Sequence, residues 1–76
     1  MTGTIKTLNR EKLFGFIRPT SGPEYFFHSS DLAEDNWNEV KEAFLKGEQI
    51  RVEFEPNKTP KGMRARNVVM LASGYE

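Results

Sequence analysis

The 76 residues of this chain provide for one domain with a small core, and the lack of cysteine together with a single histidine excludes a disulfide framework, a thiolate metal site and a histidine metal cluster. Its 11 basic and 11 acidic side chains cancel, which at first argues against a polyanionic partner. The order of the charges argues the other way. Lys6, Arg10, Lys12 and Arg18 are set against Glu11 near the start, and Lys58, Lys61, Arg64 and Arg66 against Glu76 near the end. Asp31, Glu34, Asp35, Glu39, Glu42, Glu48, Glu53 and Glu55 crowd the middle with Lys41, Lys46 and Arg51. If the two ends lie side by side, one face is basic and the opposite one acidic. Each charge taken alone also fits a solvated surface.

In chain order, Thr4 to Leu8 begins a β-branched, alternating strand. The polar turn Asn9-Arg10-Glu11-Lys12 follows, and Leu13 to Arg18 reads as the second strand. Pro19 to Pro23, with Gly22, breaks the chain before a third strand over Glu24 to His28. After Ser29-Ser30-Asp31 the period changes: Trp37, Val40, Lys41, Phe44 and Leu45 recur at helical spacing, and Gly47 suits a C-cap. Ile50, Val52 and Phe54 alternate with Arg51, Glu53 and Glu55, so Gln49 to Glu55 is a half-buried strand. Pro56 to Gly62 reads as a loop, Arg64 to Leu71 as the last strand, and Ala72 to Glu76 as a tail. The class is all-β: a small barrel with a short helical segment or long loop between strands three and four. Its expected interior is Ile5, Leu13, Ile17, Phe27, Leu32, Ile50, Val52, Phe54 and Val68, with Leu71 at the margin.

Leu13-Phe14-Gly15-Phe16-Ile17 and Tyr25-Phe26-Phe27-His28 place five rings and the histidine close together. Side chains alternate along a strand. Phe14 and Phe16 therefore share one face, Phe26 and His28 share one face, and two neighbouring strands present all four as a platform for unpaired bases. A core of this size cannot take every ring, and an exposed apolar patch marks a contact site. Phe44, at helical spacing with Val40, suits packing of the helix on the barrel. Ser29, Ser30 and Asp31 follow His28, but adjacent positions on a strand or turn rarely reach the geometry of a nucleophile with an oriented base, so no enzyme is expected.

Several of these segments carry a resemblance. Gly3-Thr4-Ile5-Lys6 with Asn9 resembles the opening strand of the cold-shock domain, Lys12-Leu13-Phe14-Gly15-Phe16-Ile17 its first ribonucleoprotein motif, and Tyr25-Phe26-Phe27-His28 its second. Gly47 to Phe54 resembles its fourth strand, and Lys61-Gly62 with Ala65 to Val68 the approach to its fifth. The match spans residues 2 to 71, within a single expected domain over 1–71 and a tail over 72–76. It implies a five-stranded antiparallel OB-fold barrel that binds single-stranded RNA or DNA. The implied stacking set is Phe14, Phe16, Phe26 and His28, with Lys6 and Lys12 beside them and Trp37 in a loop where the family often has another ring. Trp37 suits packing equally well. The chain departs from the pattern at Thr7-Leu8, in place of Trp-Phe, at Leu13, in place of glycine, and at Ser29, in place of phenylalanine. Two stacking rings are therefore missing.

The expected partner is single-stranded nucleic acid, with Lys6, Lys12, Arg18, Lys58, Lys61 and Arg64, and Arg66 beyond them, as phosphate contacts. Every base has a π-face, so such binding is broad in sequence preference and opens RNA hairpins by mass action without ATP. This is the behaviour of an RNA chaperone or a cold-shock-type regulator of transcription or translation. The alternative is a protein-interaction module that works through the acidic segment 34–46. No cofactor or metal is expected, and a monomer is. Met1-Thr2-Gly3-Thr4 has no apolar run of signal-peptide length, and no stretch approaches the roughly 20 apolar residues of a membrane span. Cytoplasmic residence is the expectation.

Overall fold

In the computed structural model, which describes residues 1–71, alternating apolar side chains close a five-stranded barrel. The strands are β1 (Thr2–Asn9), β2 (Phe14–Pro19), β3 (Tyr25–His28), β4 (Arg51–Thr59) and β5 (Gly62–Met70). A 3₁₀ turn at Ser29–Asp31 and one helix, α1 (Trp37–Leu45), lie between β3 and β4. The order around the barrel is β1-β2-β3-β5-β4, and β1 closes on β4 through Gly3 opposite Val52. Four of the seams are antiparallel, as expected. The fifth, where Phe26 of β3 meets Arg64 of β5, is parallel, because the intervening segment carries the chain across the barrel before β4 and β5 return as a hairpin.

The core follows the period of two. Tyr25 and Phe27 of β3 are buried while Phe26 and His28 are half-exposed, and Val52 and Phe54 of β4 are buried between exposed Arg51, Glu53 and Glu55. Ile5, Ile17, Leu32, Ile50 and Val68 complete the expected interior, and Tyr25, Val40, Ala43 and Ala65 join it. Helix α1 packs by Val40 and Ala43, with Trp37 and Phe44 half-buried beside them. It ends where the Gly47 amide donates to the Phe44 carbonyl at 3.0 Å and the Glu48 amide to the Ala43 carbonyl at 3.1 Å. That pair of bonds places Gly47 at a φ of 80°, the left-handed stop that glycine adopts without cost.

Two sequence expectations are corrected. Leu13 is neither a strand residue nor part of the core: its φ is 61° and it is 40% exposed. The Asn9 side chain accepts from the Glu11 and Lys12 amides, and the Leu13 amide donates to the Asn9 carbonyl. The chain leaves this compact turn for β2 only through a left-handed residue. The segment Pro56 to Gly62 is not a loop, since β4 continues to Thr59 and pairs Pro56 with Ala65 and Asn57 with Arg64. Proline is tolerated there because β1 covers β4 only at Arg51 to Glu53, so the later part of β4 is an edge. Leu71 is half-buried, and the expected tail over 72–76 lies outside the described residues.

The one buried charged side chain among the described residues is Asp31, whose carboxylate is 4% exposed. Its Oδ2 accepts from the His28 amide at 3.0 Å and from Arg64 Nε at 3.0 Å, and its Oδ1 lies 3.3 Å from Arg66 Nε. The His28 ring replies as a cap, Nδ1 accepting from the Ser30 amide at 3.1 Å. These bonds tie the end of β3 and the 3₁₀ turn to β5.

Replacing Leu13 by glycine is expected to raise stability by about 1 kcal/mol, since it removes the left-handed strain of a side-chain-bearing residue and offsets the larger unfolded-state entropy of glycine; a denaturant midpoint at or below wild type would contradict this. Asp31→Ala strands the His28 amide and two guanidinium groups. Because both arginines are partly solvated, the expected loss is about 2 kcal/mol, at the low end for a broken buried pair, read as a lowered midpoint with an unchanged denaturant slope.

Candidate nucleic-acid interface

The register of β1, β2, β3 and β5 sorts the outward side chains into two rows. One row runs Thr7, Phe16, Phe26, Arg64, and the other Asn9, Phe14, His28. Phe14 and Phe16 lie 6.0 Å apart between ring centroids, Phe14 and Phe26 5.4 Å, and Phe16 and Phe26 5.9 Å. All three are half-buried. Their tilted and edge-to-face arrangements are favourable ring contacts, so the cluster holds its own shape while its outer surface stays open. His28 flanks it opposite Phe14, and with Nδ1 occupied by the Ser30 amide the neutral ring carries its proton on Nε2, which remains a donor.

Beside the rings lies a cleft of about 610 Å³ lined by Phe16, Glu24, Phe26, Thr59, Lys61, Gly62, Met63 and Arg64. Thr59 Oγ1 donates to the Gly62 carbonyl at 2.8 Å and accepts from the Lys61 amide at 3.2 Å. The β4–β5 turn is thereby held in shape with Lys61 at the rim of the cleft. The Arg64 guanidinium carbon lies 5.7 Å from the Phe26 centroid, within cation–π reach.

The structure thus brings together Phe14, Phe16, Phe26, His28, Lys61 and Arg64. Lys6 is the extra residue of the β1 bulge between Ile5 and Thr7, exposed on the strand next to Phe16, and Lys12 is exposed in the turn that leads into Phe14. Arg18 pairs with Glu24 across 3.4 Å of exposed surface. Lys58 is exposed on β4 opposite Met63. Trp37 is not brought to the platform: at the start of α1 it packs against Phe27 with centroids 6.4 Å apart, and Phe27 points into the barrel. Segment 34–46 likewise turns the apolar side of α1 onto the barrel and leaves Leu45 as its exposed large apolar residue.

Sequence reasoning missed two members of this region, Asp31 and Glu24. Asp31 read as surface acid because its partner Arg64 is 33 positions away. Its capping position after His28 was the available signal. Glu24 read only as the first residue of the third strand, although its place just ahead of Tyr25-Phe26 sets it beside the rings.

The 'Cold-shock' DNA-binding domain model matches residues 1–71. The chain is 40% identical over 70 residues to cold shock protein CapB of Pseudomonas syringae pv. tomato, covering 92% of this chain and 93% of that protein. It is 39% identical to the major cold shock protein of Micrococcus luteus, covering 91% and 96% of the two chains, and 38% identical to cold shock-like protein CspC of Bacillus cereus, covering 93% and 100%. No described helix is long and apolar enough to cross a membrane. With its five-stranded barrel, its paired aromatic strands and this similarity along nearly its whole length, the chain belongs to the cold-shock domain family of non-enzymatic, nucleic-acid-binding proteins.

Proposed function

We propose that the outer face of β2 and β3 binds unpaired stretches of RNA or DNA and, by capturing them, shifts RNA hairpins toward their open form without ATP, as an RNA chaperone or a cold-shock-type regulator acting as a cytoplasmic monomer. The observation that supports this most strongly is the cluster Phe14, Phe16 and Phe26: three outward rings with centroids within 6.0 Å of one another. Soluble proteins bury such a cluster unless it serves a contact. A flat, sequence-indifferent surface accepts single bases and rejects a stacked duplex.

Lys61 and Arg64 supply positive charge at the cleft, and Lys6 and Lys12 border the β1 side, so phosphates that follow the rings meet cations on both flanks. Arg18 stands at the margin of this reading, in an exposed 3.4 Å pair with Glu24. Trp37 is not assigned a stacking role in it, because its half-buried ring packs against Phe27 and lies outside the cluster of Phe14, Phe16 and Phe26.

Phe14→Ala and Phe26→Ala are each expected to weaken binding of a short labelled single strand by about 1–3 kcal/mol, while the circular dichroism spectrum and the thermal midpoint stay close to wild type. Wild-type affinity in both variants would remove the platform from consideration. For the unmodified protein, a plot of log affinity against log salt is expected to fall with a slope near −0.7 for each phosphate neutralised. A flat plot would count against any role for the lysines and arginines.

A further inference from the structure

Arg64 is held by one edge only. Its Nε donates to the buried Asp31 carboxylate at 3.0 Å, and Asp31 is fixed in turn by the His28 amide and by Arg66. Among the described residues the guanidinium makes no other hydrogen bond, so its two terminal NH₂ groups remain as free donors. The guanidinium carbon lies over the Phe26 ring, 5.7 Å from its centroid, and Phe26, Arg64 and Glu24 line the same cleft. A base that enters the cleft along the rings therefore meets a donor fork and, in Glu24, a residue that can accept.

Guanine suits both on two separate edges. Its O6 and N7 are two adjacent acceptors for an arginine fork, whereas the adenine amino group beside N7 sets donor against donor, the two thymine carbonyls are separated by N3–H, and cytosine offers O2 and N3 only on the edge that also carries its amino group. The other edge of guanine carries N1–H and an amino group, which a carboxylate accepts. Glu24 is tied only to Arg18 through an exposed 3.4 Å pair, which a ligand displaces at small cost. We infer that the cleft beside Phe26 is a guanine subsite, with Arg64 reading O6 and N7, Glu24 accepting from the opposite edge, and Asp31 as the positioning residue that holds the fork. The inference rests on the stacking reading above and adds one selective position to an otherwise indifferent surface.

The test is fluorescence anisotropy of the full chain with short labelled single strands: all thymine, or thymine with one central guanine, adenine, cytosine or 7-deazaguanine. The guanine strand is expected to bind about tenfold tighter than all thymine. Adenine and cytosine should give little of that gain, and a cytosine strand that matches guanine overturns the assignment. 7-Deazaguanine, which keeps the stacking surface but lacks N7, should lose most of it, and Arg64→Lys, which keeps the charge but not the fork, should bring the guanine-to-thymine ratio close to one. The subsite is overturned if all thymine binds while guanine adds no more than adenine, or if the preference persists with 7-deazaguanine or in Arg64→Lys. Should none of the strands bind, the stacking reading itself fails and the subsite falls with it.

Discussion

The arrangement of the whole sheet depends on how closely β1, β2 and β3 approach at Gly15. A Cβ at that position would lie 2.5 Å from the Thr7 carbonyl oxygen and 2.9 Å from Cε1 of Phe27, distances that no side chain sustains. Without it, Phe27 fills the barrel at zero exposure directly opposite Gly15. Once Phe27 is inside, the period of two leaves no freedom to its neighbours. Phe14 and Phe16 on either side of Gly15, and Phe26 and His28 on either side of Phe27, are all directed outward. A slip of one residue would bury the platform and expose Phe27, so the same constraint that packs the core also aims the rings.

Asp31 performs a related service at the parallel seam. This seam is short, with one register pair between Phe26 and Arg64, and a single pair provides little resistance to sliding. The buried carboxylate joins the His28 amide at the end of β3 to the guanidinium groups of Arg64 and Arg66 on β5. A buried ion pair is seldom a large source of stability, because desolvation offsets most of the attraction. Its effect here is geometric: it fixes the register of β5 against β3 and, with it, the place of Arg64 beside Phe26.

Much of this was legible in the sequence wherever a face is half-buried. Tyr25 to His28 and Ile50 to Glu55 alternate so regularly that their inner and outer sides were assigned correctly, and helical spacing located Trp37 to Leu45. Leu13 was misread because its hydrophobicity continues the alternation of Gly15 and Ile17, while the sign of its φ leaves no trace in a hydrophobic pattern. Pro56 read as a breaker because proline is excluded from central strands. That β4 becomes an edge after Glu53 is a property of the closed barrel and not of the local sequence. Trp37 was open between stacking and packing, and its contact with Phe27 at the start of α1 depends on where the helix lies on the barrel, which no local pattern contains.

The two absent rings change the character of the surface as well as its strength. Thr7 stands beside Phe16 on the outer face of β1, and Ser29 follows His28, so the platform narrows at both ends and its remaining rings lie toward β5. A stacked base contributes about 1–3 kcal/mol, and a hydrogen bond to a charged group about 1.5–3 kcal/mol. One oriented guanidinium is therefore of the size needed to offset one missing ring. The entropy of holding a long side chain still is already met in the free protein, where Asp31 anchors Arg64 at 3.0 Å. A ring treats all bases alike, whereas a fork distinguishes their edges. On the proposed reading, exchanging one for the other makes the β5 side of this barrel more selective and leaves the second missing ring unreplaced.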